Sequence, residues 1–231
     1  MLAGVSVDYL TRLEQGRETK PSPAVLNALV RALALDDDAA THLFRLASLA
    51  PVPRPPAPAS VDGSLADLLE AWPSTPALII DEQLDILATN AMARALYSDF
   101  QSADNFVRMT FVDAAAREFF RDWDRAAASC VANLRLALGR YPTNDRLLAL
   151  ITETHGASAE FRRLWGLHHV RGKTQESKRF RHSDVGELTV GFQAFEVRGA
   201  PGQQLVTYHA PAGSPDADKL RLLGALAATP R

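Results

Sequence analysis

Apolar positions recur at three- and four-residue spacing through the first fifty residues, the period of an amphipathic helix. Tyr9, Leu10 and Leu13 share one face, with Ser6 placed to cap the helix, Asp8 in its first turn and Gly16 to end it. A polar turn over Arg17 to Lys20 follows. Ser22 and Pro23 then open a second helix whose stripe is Val25, Leu26, Leu29, Val30 and Leu33. Asp36 to Asp38 begin a third, with Leu43, Phe44, Leu46 and Ala47 inward. The pattern stops between Ala50 and Ser60, where five of the chain's fourteen prolines fall. Each fixes φ and removes an N–H, so this stretch reads as an extended spacer. The pattern predicts a helical domain over 1–50, a proline-rich linker over 51–60 and a second domain over 61–231.

In the second domain the period changes twice. Leu65 to Trp72 reads as a short helix. Ala77 to Asp81 and Leu84 to Thr89 read as strands of a hairpin, turning at Asp81-Glu82-Gln83. Helical spacing returns from Asn90, a good cap, to Tyr97. Asn105 to Phe111 is apolar without a clear period. A long helix is predicted from Asp113 to Leu138, ended by Gly139 and Pro142. Two more are predicted over Arg146 to Thr154 and Ser158 to Leu167, separated at Gly156. Alternation then takes over in Lys178 to His182, Leu188 to Val197 and Gln204 to His209, before a last helix from about Asp216 to Leu226. Leu188, Val190, Phe192 and Ala194 fall on one strand face. Strands at both ends with helices between predict an α+β domain with an antiparallel sheet.

Composition narrows the classes. A single cysteine excludes an intramolecular disulfide framework and argues against a cysteine-based zinc site. The net charge of -2 argues against the whole chain acting as a general nucleic-acid binder. No apolar run approaches the ~20 residues of a membrane helix. The first residues show no signal peptide, so a cytoplasmic protein with no membrane partner is expected. Charge is uneven. Residues 61–159 hold eight Lys/Arg against fourteen Asp/Glu, whereas 160–182 hold seven against two.

The segment Gly4-Val5-Ser6-Val7-Asp8-Tyr9-Leu10-Thr11-Arg12-Leu13-Glu14-Gln15-Gly16-Arg17 resembles the recognition helix of the Cro/repressor-type helix-turn-helix, the XRE family. Pro23 to Leu35 resembles the helix that follows it. The resemblance implies that Val5 packs in the turn, that Ser6 caps the helix and can reach a phosphate, and that Val7, Asp8 and Arg12 face the major groove. Thr11 and Arg17 complete the expected DNA contacts. It begins three residues before the turn, so the two helices that precede the recognition helix in the family have no counterpart, and a truncated head is expected. Pro76 to Asp81, Leu84 to Asn90, Phe161 to Trp165, His169 to Arg171, Lys178 to His182 and Val185 to Thr189 resemble the ligand-binding domain of MmyB-like transcription regulators. Pro215 to Leu223 resembles that domain's end. Thr89 stands where family members usually carry tryptophan before the asparagine. The resemblance implies a PAS-like fold, a fatty-acid-type ligand and a regulator joining this sensor to a helix-turn-helix.

The candidate ligand contacts are Asn90, Phe106, Trp165, Arg179, Phe180, Arg181 and Phe192. Alternation sets Arg179 and Arg181 opposite Phe180, giving one basic and one apolar row, as a fatty acid would need. The plainer alternatives are a solvated face that pairs with the acidic 61–159 region, ordinary core for the aromatics, and helix capping for Asn90. His168-His169 lacks a third metal ligand at suitable spacing, and Cys130 reads as buried core. No cofactor, metal or catalytic residue is predicted. The expected protein is a homodimeric transcription regulator responding to a small apolar effector. The alternative is a ligand-binding protein that has lost DNA binding.

Overall fold

The computed structural model describes residues 7–18, 20–35, 40, 43, 44, 47, 60–167 and 177–228. The chain divides into two compact units, Met1–Arg54 and Pro55–Arg231.

In the first unit, α1 spans Val7–Glu14 and α2 spans Pro23–Ala32. Gly16 ends α1 with φ +67°. Its N–H donates to the Leu13 carbonyl, and that of Arg17 reaches back to Arg12. This closure needs a left-handed residue, which only glycine supplies without strain. Ser22 caps α2, its hydroxyl accepting from the Val25 N–H, with Pro23 at the first helical position. Leu26, Ala28 and Leu29 are buried on α2, and Phe44 is buried further along. Leu33 departs from the expected stripe. It follows the last helical residue, and 58% of it is exposed. The predicted third helix, and the linker over 51–59, fall largely outside the described residues.

The second unit is α+β. Its elements are α3 Gly63–Glu70, β1 Ala77–Ile80, β2 Ile86–Thr89, α4 Ala91–Leu96, α5 Phe106–Phe111, α6 Ala116–Phe119, α7 Trp123–Arg140, α8 Asp145–Ala157, α9 Ala159–Gly166, β3 Ser177–His182, β4 Gly186–Glu196, β5 Gln204–His209 and α10 Pro215–Ala228. The strands form one antiparallel sheet in the order β2-β1-β5-β4-β3.

Each sheet face carries its own core. Leu78, Ile80, Phe180, Leu188, Val190, Val206 and Tyr208 face the helical layer with Met92, Phe119, Trp123, Leu134, Leu147 and Phe161. Ala77, Ile79 and Leu205 face the other way, onto Leu69 of α3. Four consecutive residues of β1 are buried for this reason. The far half of β4 is not covered, and 53% of Phe195 is exposed.

Four expectations are corrected. The long helix over 113–138 is two helices, because Phe120 takes an extended backbone and bridges to Phe180 of β3, while the Arg121 N–H donates to the Arg179 carbonyl. Tertiary pairing there overrides helical propensity. Asn105 to Phe111 is helical, its start fixed by the Asn105 side chain accepting from the Val107 and Arg108 N–H groups. Gly156 lies inside α8. The break falls at Ser158, which ends α8 and caps α9 through its hydroxyl. The second hairpin strand starts at Ile86, because Leu84 sits at φ +63° within the turn.

Candidate functional site

In the first unit, α1 exposes Asp8, Thr11 and Arg12, a stripe at helical spacing that Gln15 continues just past its end, and turns Leu10 and Leu13 toward partial burial. Arg12 donates from Nε to the Asp8 carbonyl at 3.4 Å, and Arg17 is exposed just beyond the helix. Ser6 and the side chain of Val7 lie outside the described residues.

In the second unit an aromatic cluster fills the space between sheet and helices. Phe180 is 1% exposed and stacks on Phe119 with ring centroids 4.8 Å apart. Tyr97 packs edge-on to Phe106 at 5.5 Å and donates its hydroxyl to that of Tyr208 at 2.7 Å. Burial drives both phenols upward, Tyr208 to about 12. Both therefore stay neutral. Cys130 is buried beside the Thr110 hydroxyl at 3.6 Å, and burial pushes its thiol up as well. Phe106, Trp165 and Phe192 are half-buried at the rim of this core. Trp165 stacks on Phe161 at 5.4 Å under the Arg135 guanidinium, and the Lys178 ammonium lies 4.8 Å from the centroid of the Phe192 ring.

The remaining candidates have partners within the fold. Asn90 is 2% exposed. Its oxygen accepts from the Ala77 and Ala93 N–H groups, and its amide nitrogen donates toward the carbonyls of Leu69, Trp72 and Thr75. It thereby ties the loop after α3 to β1 and to the start of α4. Arg179 and Arg181 lie opposite Phe180, as alternation predicts, on the exposed side of the edge strand. Arg179 forks onto Asp122, with Nε 2.8 Å from one carboxylate oxygen, and holds that carboxyl below its usual range. Arg181 meets Glu118 at 3.1 Å, and Arg121 meets Glu187 at 3.2 Å. Part of the basic segment thus pairs with acids of the 61–159 region. The structure does not gather the seven candidates into one pocket. Phe180 lies within the core, three aromatics line its rim, and the two arginines face outward.

A cleft of about 530 Å³ lies elsewhere, among the β1–β2 turn, the start of β2, α5 and α8. Gln83, Asp85, Asp104, Arg108, Arg146 and Glu153 supply its polar wall, with Ile86, Leu87, Ala149 and Leu150 the apolar one. Arg108 holds Glu153 through two bonds of 2.9 and 2.8 Å, and Arg146 holds Asp85 at 2.8 Å. Behind the turn, Asp81 is 7% exposed, and burial with the neighbouring Asp85 charge raises its carboxyl to about 6. Sequence reasoning missed this cleft. Helical period puts Arg146, Ala149, Leu150 and Glu153 on one face of α8, but their partners on the turn and on α5 come only from the fold.

His182 is 1% exposed and held by backbone. Its Nδ1 accepts from the Asp184 N–H at 3.1 Å, which leaves Nε2 to donate to the Ala95 carbonyl at 2.9 Å. His168 and His169 lie outside the described residues. Among the described residues no three His, Cys, Asp or Glu side chains converge to hold a metal ion, and no helix is long and apolar enough to cross a membrane.

Two family models match the chain. Residues 61–223 match the MmyB-like transcription regulator ligand binding domain, and residues 1–43 match a helix-turn-helix domain. No curated protein matches.

Proposed function

The chain belongs to the MmyB-like transcription regulators, and from that premise we propose how its two units divide the work. The pairing of a helix-turn-helix match with a ligand-binding-domain match supports a DNA-binding regulator with a ligand-sensing domain. Its finer features are our reading. The exposed stripe of α1 reads DNA, with Asp8, Thr11 and Arg12 toward base edges, Val7 beside them, and Ser6 and Arg17 toward phosphates. Two chains act as a homodimer, which matches a pair of half-sites, in the cytoplasm and without a catalytic step.

The sensing domain responds to a small apolar, fatty-acid-like effector. The half-buried rings of Phe106, Trp165 and Phe192 support this, since they offer apolar surface at the rim of a packed core. Phe180 and Asn90 shape the wall behind them. Arg179 and Arg181 each hold a surface carboxylate, and an effector carboxylate can take that place at little net electrostatic cost.

The test is DNA binding by the whole chain against salt, using a family of operator-like duplexes. Log affinity should fall linearly with log salt concentration, and Arg12→Ala should weaken binding. Absence of salt-dependent binding would overturn the DNA-reading role and leave a ligand-binding protein. Light scattering that returns the monomer mass at micromolar concentration would overturn the dimer. Decanoate that fails to shift the melting temperature would overturn the fatty-acid effector.

A further inference from the structure

We infer that Gln203 is a releasable latch on the segment by which the chain enters α3, so that this segment has a held and a released state. The entry segment is Ser60-Val61-Asp62. Asp62 caps α3 through its carboxylate, and Val61 is half-buried against Leu69, Ala77, Ile79 and Leu205. Ser60 is exposed, and its carbonyl accepts from the side-chain amide of Gln203 at 3.2 Å. Gln203 is 5% exposed and ends the β4–β5 turn, next to Gly202 at φ +87°. The hold is incomplete. The side-chain oxygen of Gln203 is buried and has no partner among the described residues, and the same is true of one Glu82 carboxylate oxygen. Both residues belong to one junction. The register that pairs Ile80 with Gln204 brings the β1–β2 turn beside the β4–β5 turn, and Glu82 Cδ stands 3.4 Å from where a side chain on Gly202 would begin.

These contacts make the latch nearly balanced. One neutral hydrogen bond holds Ser60, and the same carboxamide leaves its acceptor dry. A buried polar atom without a partner costs about as much as a made bond contributes. Turning the carboxamide out to water loses the first and relieves the second, which is the condition for two populated states. The junction also joins the layers of the domain. The other Glu82 oxygen accepts from Arg140 at the end of α7, and β5 runs from Gln204 to the buried Tyr208. Movement of either element reaches Ser60 through Gly202 and Gln203. The regulatory use of the latch rests on the sensor reading above, but the latch itself is testable with neither DNA nor effector, so each can fail without the other.

The experiment is electron paramagnetic resonance of the full chain labelled with a nitroxide at Ser60→Cys, a change that keeps the backbone carbonyl. Cys130 is buried, and the unsubstituted chain treated alike gives its background. Asp67→Cys, exposed on α3, is the reference site. The Ser60→Cys label should show an immobilised and a mobile component together. Gln203→Glu keeps the size but removes the donor, and should raise the ratio of mobile to immobilised label about tenfold. Gln203→Met removes the donor and the dry acceptor together and leaves an apolar side chain that favours burial, so it should lower that ratio about threefold. The opposite signs separate a latch from an ordinary structural glutamine, whose loss would loosen the segment in both variants. If Gln203→Glu does not fold, the direction of Gln203→Met decides alone. A single component at Ser60→Cys overturns the proposal. So does a ratio that Gln203→Glu leaves unchanged, a ratio that Gln203→Met leaves unchanged or raises, or an equal change at Asp67→Cys, which would mark loosening of α3 as a whole.

Discussion

Replacing Asp81 by asparagine should stabilise the second unit at neutral pH, and only there. Asp81 is 7% exposed, and its Oδ1 accepts from the Gln83 N–H at 2.8 Å and the Asp85 N–H at 3.0 Å. An asparagine oxygen keeps both bonds. What it removes is a charge that burial and the adjacent Asp85 disfavour, lifting the carboxyl from 3.8 to about 6 against a smaller pull from Arg146. A shift of about two units at 1.36 kcal/mol each sets an upper bound of roughly 3 kcal/mol. Since the folded value is raised, the parent has its full stability below the unfolded value and loses this increment as pH rises through about 6. The variant loses nothing over that window. The stability difference should thus be near zero at about pH 4, grow to about pH 6, and reach a plateau of roughly 2–3 kcal/mol above it. Urea unfolding of the full chain, followed by tryptophan fluorescence at several pH values, measures this. All three tryptophans, Trp72, Trp123 and Trp165, lie in the second unit, so the signal reports on it alone. A difference that stays constant between pH 5 and 8 would refute the reasoning, as would a variant less stable than the parent at pH 7.5.

Three further outcomes follow from the packing. Tyr97→Phe and Tyr208→Phe should each cost about 1–2 kcal/mol by leaving a buried hydroxyl without its partner, whereas the double variant should cost less than the sum; additive losses in urea unfolding would count against the pair. Asn90→Ala should cost roughly 2–4 kcal/mol, because two buried N–H groups and several carbonyls lose their partner together; an unchanged unfolding midpoint would show that these bonds carry no stability. Arg179→Ala should leave the unfolding midpoint where it is, since its pair with Asp122 is solvent-exposed; a clear fall in the midpoint would show the pair to be structural.

Local signals in the chain were strong wherever a side chain bonds to its own neighbourhood. Asn90, Ser22 and Ser158 cap helices through bonds spanning three residues, and Gly16 closes α1 within one turn. The alternation of β3 was equally plain, because strand period alone sets Phe180 inward and Arg179 outward. What could not be read were contacts between distant segments. Nothing near Phe120 announces that Phe180 will bridge to it and split a helix. Nothing near Arg146 points to Asp85, 61 residues earlier. The basic segment drew attention through its composition, yet Arg179 and Arg181 found carboxylates on α6 and just beyond it. The cleft combines both difficulties, since its walls come from three separated stretches and its charges nearly cancel in sequence.

The sheet has a property that neither core shows separately. Strands β1 and β5 are buried on both faces, with Leu78, Val206 and Tyr208 in the aromatic core and Ala77, Ile79 and Leu205 against α3. Close-packed interiors transmit displacement, so a guest that shifts Tyr208 or its neighbours moves the backbone on which α3 rests. Asn90 stiffens that route by holding the loop after α3 to β1 and to α4 with one side chain. α3 is the first described helix after the proline-rich segment, and on the reading proposed above an effector would act on that segment through it. A coupling of about 1–3 kcal/mol is the usual size for such a link. The Asn90→Ala variant therefore has a second use. If this route operates, it should reduce the effector's influence on DNA affinity by more than any loss of effector binding accounts for, and an unchanged influence at saturating effector in a folded variant would place the coupling elsewhere.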